Sequence, residues 1–401
     1  MTQNLTRRIG TNELTYVQEV LRTEFRSSSG ATFMRRLEEA FAKRFNSTYA
    51  ISFVNGTATM HAALEAMGVG PGDEVIVPPL TMSATTFAVL QANATPVFAD
   101  VDAETFQIDP ASIAARITSR TKAIITVALY GLSPDMDPIM ALAQQHGLKV
   151  IEDNAECFLG EYKGKLVGTL GHCSSFSFQS SKHLTSGEGG IVLTEDRELA
   201  ENIRKVQSLG YAGVGATKAR ITKKDIQDPA YSRHVTMGWN YRMPELCCAV
   251  ALAQTESIDA LVQRRIDVAN IFSEATRDFH DWFVPQKTGQ EYVNSYWTWV
   301  CRNDHPSVGW HALRDAFLEN GGHGVYAAWK LTYLEPMFEK LNLLGRERFI
   351  SADNIGQYKL GLCPVAERLQ KRLMQFKTNY WDISQAHAQA EILRKTLKQF
   401  D

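Results

Sequence analysis

Between Tyr49 and Asp153 the sequence switches repeatedly between two periods, and this limits the possible folds more than any other feature. Short apolar runs lie at Tyr49–Val54, Glu74–Pro78, Pro96–Val101, Ala123–Leu129 and Lys149–Asp153. The stretches between them, Ala58–Met67, Ala84–Ala92, Pro110–Ile117 and Pro138–His146, carry helical spacing, as in Met60, Ala63, Leu64 and Met67. Strands joined through helices of this length cross over and come to lie parallel. The pattern therefore predicts an α/β fold whose mostly parallel sheet is covered by helices on both faces. Asp137 is expected to cap the last of these helices, with Pro138 in its first position. Upstream, 13–24 and 32–45 read as amphipathic helices, the second with Phe33, Leu37, Phe41 and Phe45 on one face.

After Thr194 the pattern changes. A charged helix over 196–207 leads to a Gly-rich, basic loop at 210–230, then to helices ending near Gln254 and spanning 257–279. The remainder reads as helices with a few short strands. A chain of 401 residues exceeds one small core, so we expect a large domain, 1–256, and a smaller α+β domain, 257–401. No internal repeat or low-complexity tract interrupts either part.

Three places carry chemistry. Asn55-Gly56-Thr57 joins a strand to a helix, where free N–H groups and the helix dipole favour an anion such as phosphate; a simple N-cap by Thr57 accounts for this piece equally well. Asp153 ends the run Val150-Ile151, and in such sheets functional groups gather beyond the strands' carboxyl ends; its plainer reading is a turn or cap residue. Lys182 sits in SSFSFQSSKHLTSGEGGIVLT, 174–194, between two apolar runs. An amine shielded from water there could attack a carbonyl carbon, although a loop lysine is more often simply solvated. Phosphate cradle, carboxylate and amine are together the three handles that pyridoxal phosphate requires. The cluster GVGPGD at 68–73 is not a dinucleotide fingerprint, because it follows a helix and precedes a strand.

The motifs NGTAT (55–59), GPGDEVIVPPLT (70–81), ATPVFADVD (94–102), IEDNAE (151–156), GKLVGTLG (164–171), SFSFQSSKHLTSGEGG (175–190) and WNYRMPEL (239–246) extend that reading. With them the chain resembles the DegT/DnrJ/EryC1/StrS family of pyridoxal-phosphate-dependent sugar aminotransferases over nearly its whole length. The resemblance implies the aspartate-aminotransferase type of fold (fold type I). It matches Lys182 to the lysine that captures the cofactor's aldehyde, where the family's dehydratase branch carries histidine, and Asp153 to the partner of the ring nitrogen. Gly56, Thr57, Ala58 and Ser177 match the phosphate site. Asn240 matches a residue given to the neighbouring subunit's phosphate, which implies a homodimer. Met82 stands where the family usually has an aromatic residue over the ring. Glu156 stands where it usually has Gln or His on the phenolic oxygen; we expect Glu156 to be protonated, bridged by water or turned away.

The loop QSSKHLTSGEGG is more similar to the branch handling inososes, aminohydroxybenzoate precursors and octulosonate than to the nucleotide-sugar branch. It implies transfer from an amino acid, L-glutamate in most relatives, to a keto sugar, with the 8-keto form of 3-deoxy-octulosonate of lipopolysaccharide as the leading acceptor. An inosose or a nucleotide-linked 4-keto sugar are the alternatives, as is lyase or dehydratase chemistry on the same fold. Tyr326 and Trp329 are candidates for a sugar-binding wall or plain core aromatics, and Lys218, Arg220, Lys223 or Arg242 for a counter-ion to a sugar carboxylate.

Charge narrows the remaining classes. With 42 basic and 44 acidic residues the net charge is −2, which gives no general attraction to nucleic acid or a membrane surface. The basic run Lys218, Arg220, Lys223, Lys224 is followed at once by Asp225 and Asp228 and reads as a solvated loop. Six cysteines without CxxC or cysteine–histidine metal spacing suggest reduced, buried thiols, no metal and no iron–sulfur cluster. No apolar run approaches membrane-spanning length, and MTQNLTRRIG lacks a signal core, so a cytoplasmic protein is expected.

Overall fold

The computed structural model describes residues 7–26 and 32–401. Seven strands form the main sheet: β1 (Tyr49–Phe53), β2 (Glu74–Val77), β3 (Thr95–Phe98), β4 (Thr121–Val127), β5 (Lys149–Asp153), β6 (Cys173–Ser177) and β7 (Gly190–Thr194). Their spatial order is β1-β7-β6-β5-β4-β2-β3. Neighbours from β3 to β6 pair in parallel, while β7 runs antiparallel to both β6 and β1. Alternate side chains of the central strands enter different cores. Val75, Val77, Ala123, Ile125 and Ile151 join one apolar cluster, and Ile76, Ile124 and Val150 the other. Burial on both faces of a parallel sheet explains why these strands are continuous apolar runs.

Helices fill the two sides. α1 (Thr11–Arg22) and α2 (Phe33–Phe45) precede the sheet; α3 (Gly56–Ala66), α4 (Ala84–Gln91), α5 (Pro110–Arg116) and α6 (Met136–His146) make the crossovers, and α7 (Arg197–Gln207) follows β7. In α2 the four phenylalanine-spaced positions are all buried, and Phe41 meets Phe176 of β6 at 5.2 Å between ring centres. The helix also buries a charge. Glu38 accepts two bonds from Arg204 of α7, at 2.9 and 2.6 Å, and both the N–H and the hydroxyl of Ser52 at 2.9 Å.

One expected helix start is corrected. α6 begins at Met136 after Asp135, not at Pro138 after Asp137, and neither aspartate caps it through its side chain. The Tyr162 hydroxyl does so instead, accepting from the Asp137 N–H at 3.2 Å while donating to Asp135 at 2.6 Å. Lys163 draws the Asp137 carboxylate outward at 2.5 Å.

Helices α8 (Glu245–Glu256) and α9 (Ile258–Ala275) meet end to end around Ser257. Beyond them β8 (Phe283–Pro285), β9 (Thr298–Asn303), β10 (Tyr326–Ala327) and β11 (Leu373–Lys377) form a second, antiparallel sheet in the order β8-β9-β11-β10. α9, α10 (Trp310–Glu319) and α11 (Ile383–Leu397) share its separate apolar core, which includes Phe272, Trp299, Phe376 and Leu393. Residues 331–369, on the small-domain side of the expected boundary at 256, return to the large sheet. Tyr333 and Tyr358 pack on Phe98 of β3, and Asp100 accepts the N–H groups of Val365 and Ala366 at 2.9 Å each.

Arg204 is wholly buried, so removing its partner strands a cation in a dry interior. Glu38→Ala should cost about 3–5 kcal/mol, read as an earlier urea midpoint. A paired Glu38→Met/Arg204→Met change should recover most of that loss.

Candidate active site

A cavity of about 610 Å³ lies beyond the carboxyl ends of the parallel strands. Gly56, Thr57, Met82, Asp153, Glu156, Ser177 and Lys182 all line it, each following a different turn of the crossover pattern or sharing one with a neighbour. Ala58, expected at the same site, does not; Asn240, expected at the neighbouring subunit's site, lies outside this cavity.

At one end β1 gives way to α3. Asn55, not Thr57, caps this helix, its side chain accepting the Ala58 N–H at 2.8 Å. The Ala58 N–H is thereby occupied, while those of Gly56 and Thr57 lie in the first turn, where no intrahelical acceptor exists. Two glycines let the backbones meet. A Cβ on Gly190 would lie 2.8 Å from the Asn55 carbonyl and 2.9 Å from the Gly56 nitrogen; one on Gly56 would lie 3.0 Å from Ser177 Cβ. Ser177 at the end of β6 therefore sits against a positive helix end, the arrangement that holds phosphate.

Three ionisable groups meet at the other end. Asp153 is buried and accepts from the Thr85 hydroxyl at 2.8 Å and the Ala155 N–H at 3.1 Å. Burial pushes its carboxyl above the ordinary range, against the pull of Thr85, Ala155 and Lys182. Lys182 is 8% exposed, and its Nζ lies 3.3 Å from Glu156 Oε1. The other Glu156 oxygen accepts the Tyr130 N–H at 3.0 Å, from a residue held at φ 65°. Glu156 thus bridges the Lys182 amine and the Tyr130 backbone. Its carboxyl is raised by burial, with Lys182 opposing, so the protonated form is favoured relative to a solvated glutamate. Met82 is half-exposed at the rim, its sulfur accepting the Ala84 N–H at 3.0 Å.

Sequence reasoning missed Trp297. Its ring centre lies 4.4 Å from Lys182 Nζ, and it stacks on Trp329 at 5.8 Å and 21°. Period-two alternation would put Trp297 on the same face as Trp299, a core residue, so it gave no signal; Trp297 precedes β9 and lines the cavity instead. Thr85 and Tyr130 carried no signal either, since each matters only through the carboxylate that folding brings to it. Of the proposed wall, Trp329 lines the cavity, whereas Tyr326 is exposed and outside it. The expected counter-ions also lie elsewhere. Arg220 pairs with Glu245 and, with Arg242 and Asn240, lines a separate groove of about 580 Å³. Lys218 faces Asp225, and Lys223 opens a one-turn helix over 223–227.

The site fits pyridoxal phosphate on its own geometry. A glycine-lined helix end would take the phosphate. A buried carboxyl held by Thr85 and the Ala155 N–H would face the ring nitrogen, and a shielded amine would meet the aldehyde. With a parallel-sheet α/β fold of type I, these features are those of a pyridoxal-phosphate-dependent enzyme.

Residues 7–372 match the DegT/DnrJ/EryC1/StrS aminotransferase family. The chain is 39% identical over 285 residues to GDP-perosamine synthase of Escherichia coli O157:H7, covering 71% of this chain and 73% of that one. It is 42% identical over 268 residues to GDP-perosamine synthase of Caulobacter vibrioides, covering 67% and 68%. Among solved structures, an aminotransferase from Psychrobacter cryohalolentis superposes with a TM-score of 0.87 at 27% identity, over 98% of both chains. The chain belongs to the DegT/DnrJ/EryC1/StrS family and is a sugar aminotransferase.

The raised Glu156 carboxyl makes a linkage prediction for the protein without cofactor. A carboxyl whose folded pKa exceeds its unfolded value penalises the fold above the folded pKa, and the penalty disappears below the unfolded one, about 4.3. Glu156→Gln should therefore gain melting temperature over the parent at pH 8, and that gain should shrink as the pH falls toward 4. A difference independent of pH would contradict the assignment.

Proposed function

We propose that Lys182 is the catalytic amine, Asp153 the partner of the ring nitrogen, and Gly56, Thr57 and Ser177 the phosphate site, with Met82 and Glu156 against the ring. The observation carrying this reading is the position of Lys182 Nζ, buried between Glu156 and Trp297 in the cavity that also holds Asp153 and the start of α3. When bound, pyridoxal phosphate supplies an electron sink for charge left at carbon when a proton departs. Lys182 takes the proton from the donor's α-carbon and, in the second half-reaction, returns one to the acceptor carbon that gains the amine. Asp153, held by Thr85, keeps a negative charge beside the ring nitrogen. Trp297 and Trp329 screen the amine from water. The net change converts an amino acid to its keto acid and a keto sugar to an amino sugar, with L-glutamate the proposed donor.

For the acceptor we favour a nucleotide-linked keto sugar over the octulosonate suggested by the lysine loop. Relatives 39% and 42% identical carry the name GDP-perosamine synthase, and that likeness spans far more of the chain than one loop.

The working unit in this reading is a homodimer. Asn240 lies in the separate groove, outside its own chain's Lys182 cavity, as a residue serving a partner would. Division into domains at 256 and cytoplasmic residence belong to the same proposal. They are supported by the separate apolar core around Trp299 and by six unpaired cysteines, five of them buried. No helix among the described residues is long and apolar enough to cross a membrane.

The purified protein should be yellow and lose its long-wavelength absorbance on adding L-glutamate. Lys182→Ala should abolish turnover, and survival of turnover would remove the lysine from its role. With glutamate as donor, a GDP-linked 4-keto-6-deoxy sugar should be aminated in preference to the 8-keto form of 3-deoxy-octulosonate; the reverse preference would restore the octulosonate reading.

A further inference from the structure

Arg265 of α9 is 2% exposed, yet among the described residues no carboxylate accompanies it. Its guanidinium donates to the carbonyls of Trp297 at 2.7 Å, Ser181 at 2.9 Å and Lys182 at 3.0 Å, and to the Thr378 hydroxyl at 3.2 Å. A buried cation satisfied only by neutral dipoles is costly, and packing alone would be served better by an apolar side chain. Burial presses its pKa down to about 9, with Arg8 adding to the effect.

The bonds converge on one short segment. Trp297 donates its indole N–H to the Ser181 carbonyl at 3.0 Å while its ring faces Lys182 Nζ. Arg8 reaches the carbonyls of Ser180 and Lys182. His183, whose pKa burial drives far below the ordinary value, donates from Nε2 to the Ser295 carbonyl at 2.9 Å. The carbonyls of Ser181 and Lys182 are thus fastened to α9 and to 295–297, elements that lie beyond residue 256. Arginine suits this because its planar fork spans several acceptors at once, which an ammonium cannot.

We propose that Arg265 is a positioning residue for the reaction: by gripping the carbonyls of Ser181, Lys182 and Trp297 it sets where the Lys182 amine points and ties that aim to the seating of α9 and Trp297 against the large sheet. The inference rests on Lys182 being the reacting amine. Four rotatable bonds separate that amine from its backbone, so its aim depends on a fixed origin and on the Trp297 and Glu156 walls. Arg265 secures both the origin and one wall.

The test compares Arg265→Met, Arg265→Lys and Thr378→Val with Leu393→Ala, a core change in the second sheet's layer that serves as a destabilised control. Two quantities are read: amide exchange over 179–183 in the cofactor-free protein, and the rate of glutamate-driven bleaching at saturating donor in the loaded enzyme. Arg265→Met should raise exchange in that segment and slow the bleaching about 100-fold, with the KM for glutamate little changed. Arg265→Lys and Thr378→Val should fall between it and the parent, and they carry the test if the methionine variant does not fold. Leu393→Ala should lower the melting temperature without either effect. If Leu393→Ala at equal stability loss matches Arg265→Met in both readouts, Arg265 is only structural and the inference fails. Lys182→Ala separates the two readings. If it abolishes turnover while Arg265→Met keeps the parent rate, the inference alone falls. If Lys182→Ala turns over, the amine itself was misassigned.

Discussion

The period-two division of β2, β4 and β5 between two apolar cores is the constraint on which the molecule depends. Because Val75 and Ile76, Ile124 and Ile125, and Val150 and Ile151 face opposite ways into separate clusters, helices must cover both sides of the sheet. Each connection then crosses a face and re-enters in the same direction, so the carboxyl ends of β1, β2, β4, β5 and β6 open on one edge. Thr57, Met82, Tyr130, Asp153, Ser177 and Lys182 follow those ends, although they are scattered over more than a hundred positions of sequence. The site is a by-product of how the core is covered.

Desolvation organises the site's chemistry. Asp153 and Glu156 are both buried and both held above the ordinary carboxylate range, with Lys182 the nearby cation. Neighbouring Glu152 is also raised by burial, but it spends its oxygens on the N–H groups of Gly168, Leu170 and Gly171. Three consecutive-turn carboxylates thus take different roles according to what surrounds them. Glu152 shapes a loop, Asp153 takes the Thr85 hydroxyl and the Ala155 N–H at the cavity wall, and Glu156 stands beside the Lys182 amine.

Legibility followed the range of the interaction. The mostly parallel sheet, the helix faces and the loop setting of Lys182 rest on local periodicity and short motifs, and these were readable. The start of α6 was not, because its cap comes from Tyr162, a residue outside the helix altogether. The N-cap of α3 fell on Asn55 rather than Thr57, a two-residue difference that changes which N–H groups stay free. Thr85, Tyr130 and Arg265 were invisible for a further reason. Each acts through a partner 26 or more positions away, Asp153, Glu156 and Lys182 respectively, and nothing in its own neighbourhood marks it.

The grip of Arg265 on backbone carbonyls has a consequence for how the enzyme meets its solvent. Ion pairs at a surface weaken as salt rises, since mobile ions screen them within about 8–10 Å at ordinary ionic strength. A guanidinium sealed from water and answered only by dipoles gives such ions nothing to compete for. The attachment of the lysine segment to α9 should then be indifferent to salt but sensitive to anything that lets water in, such as urea, pressure or a smaller residue at Trp297. Changes in ionic strength that alter how a charged substrate approaches would leave the placement of the amine untouched.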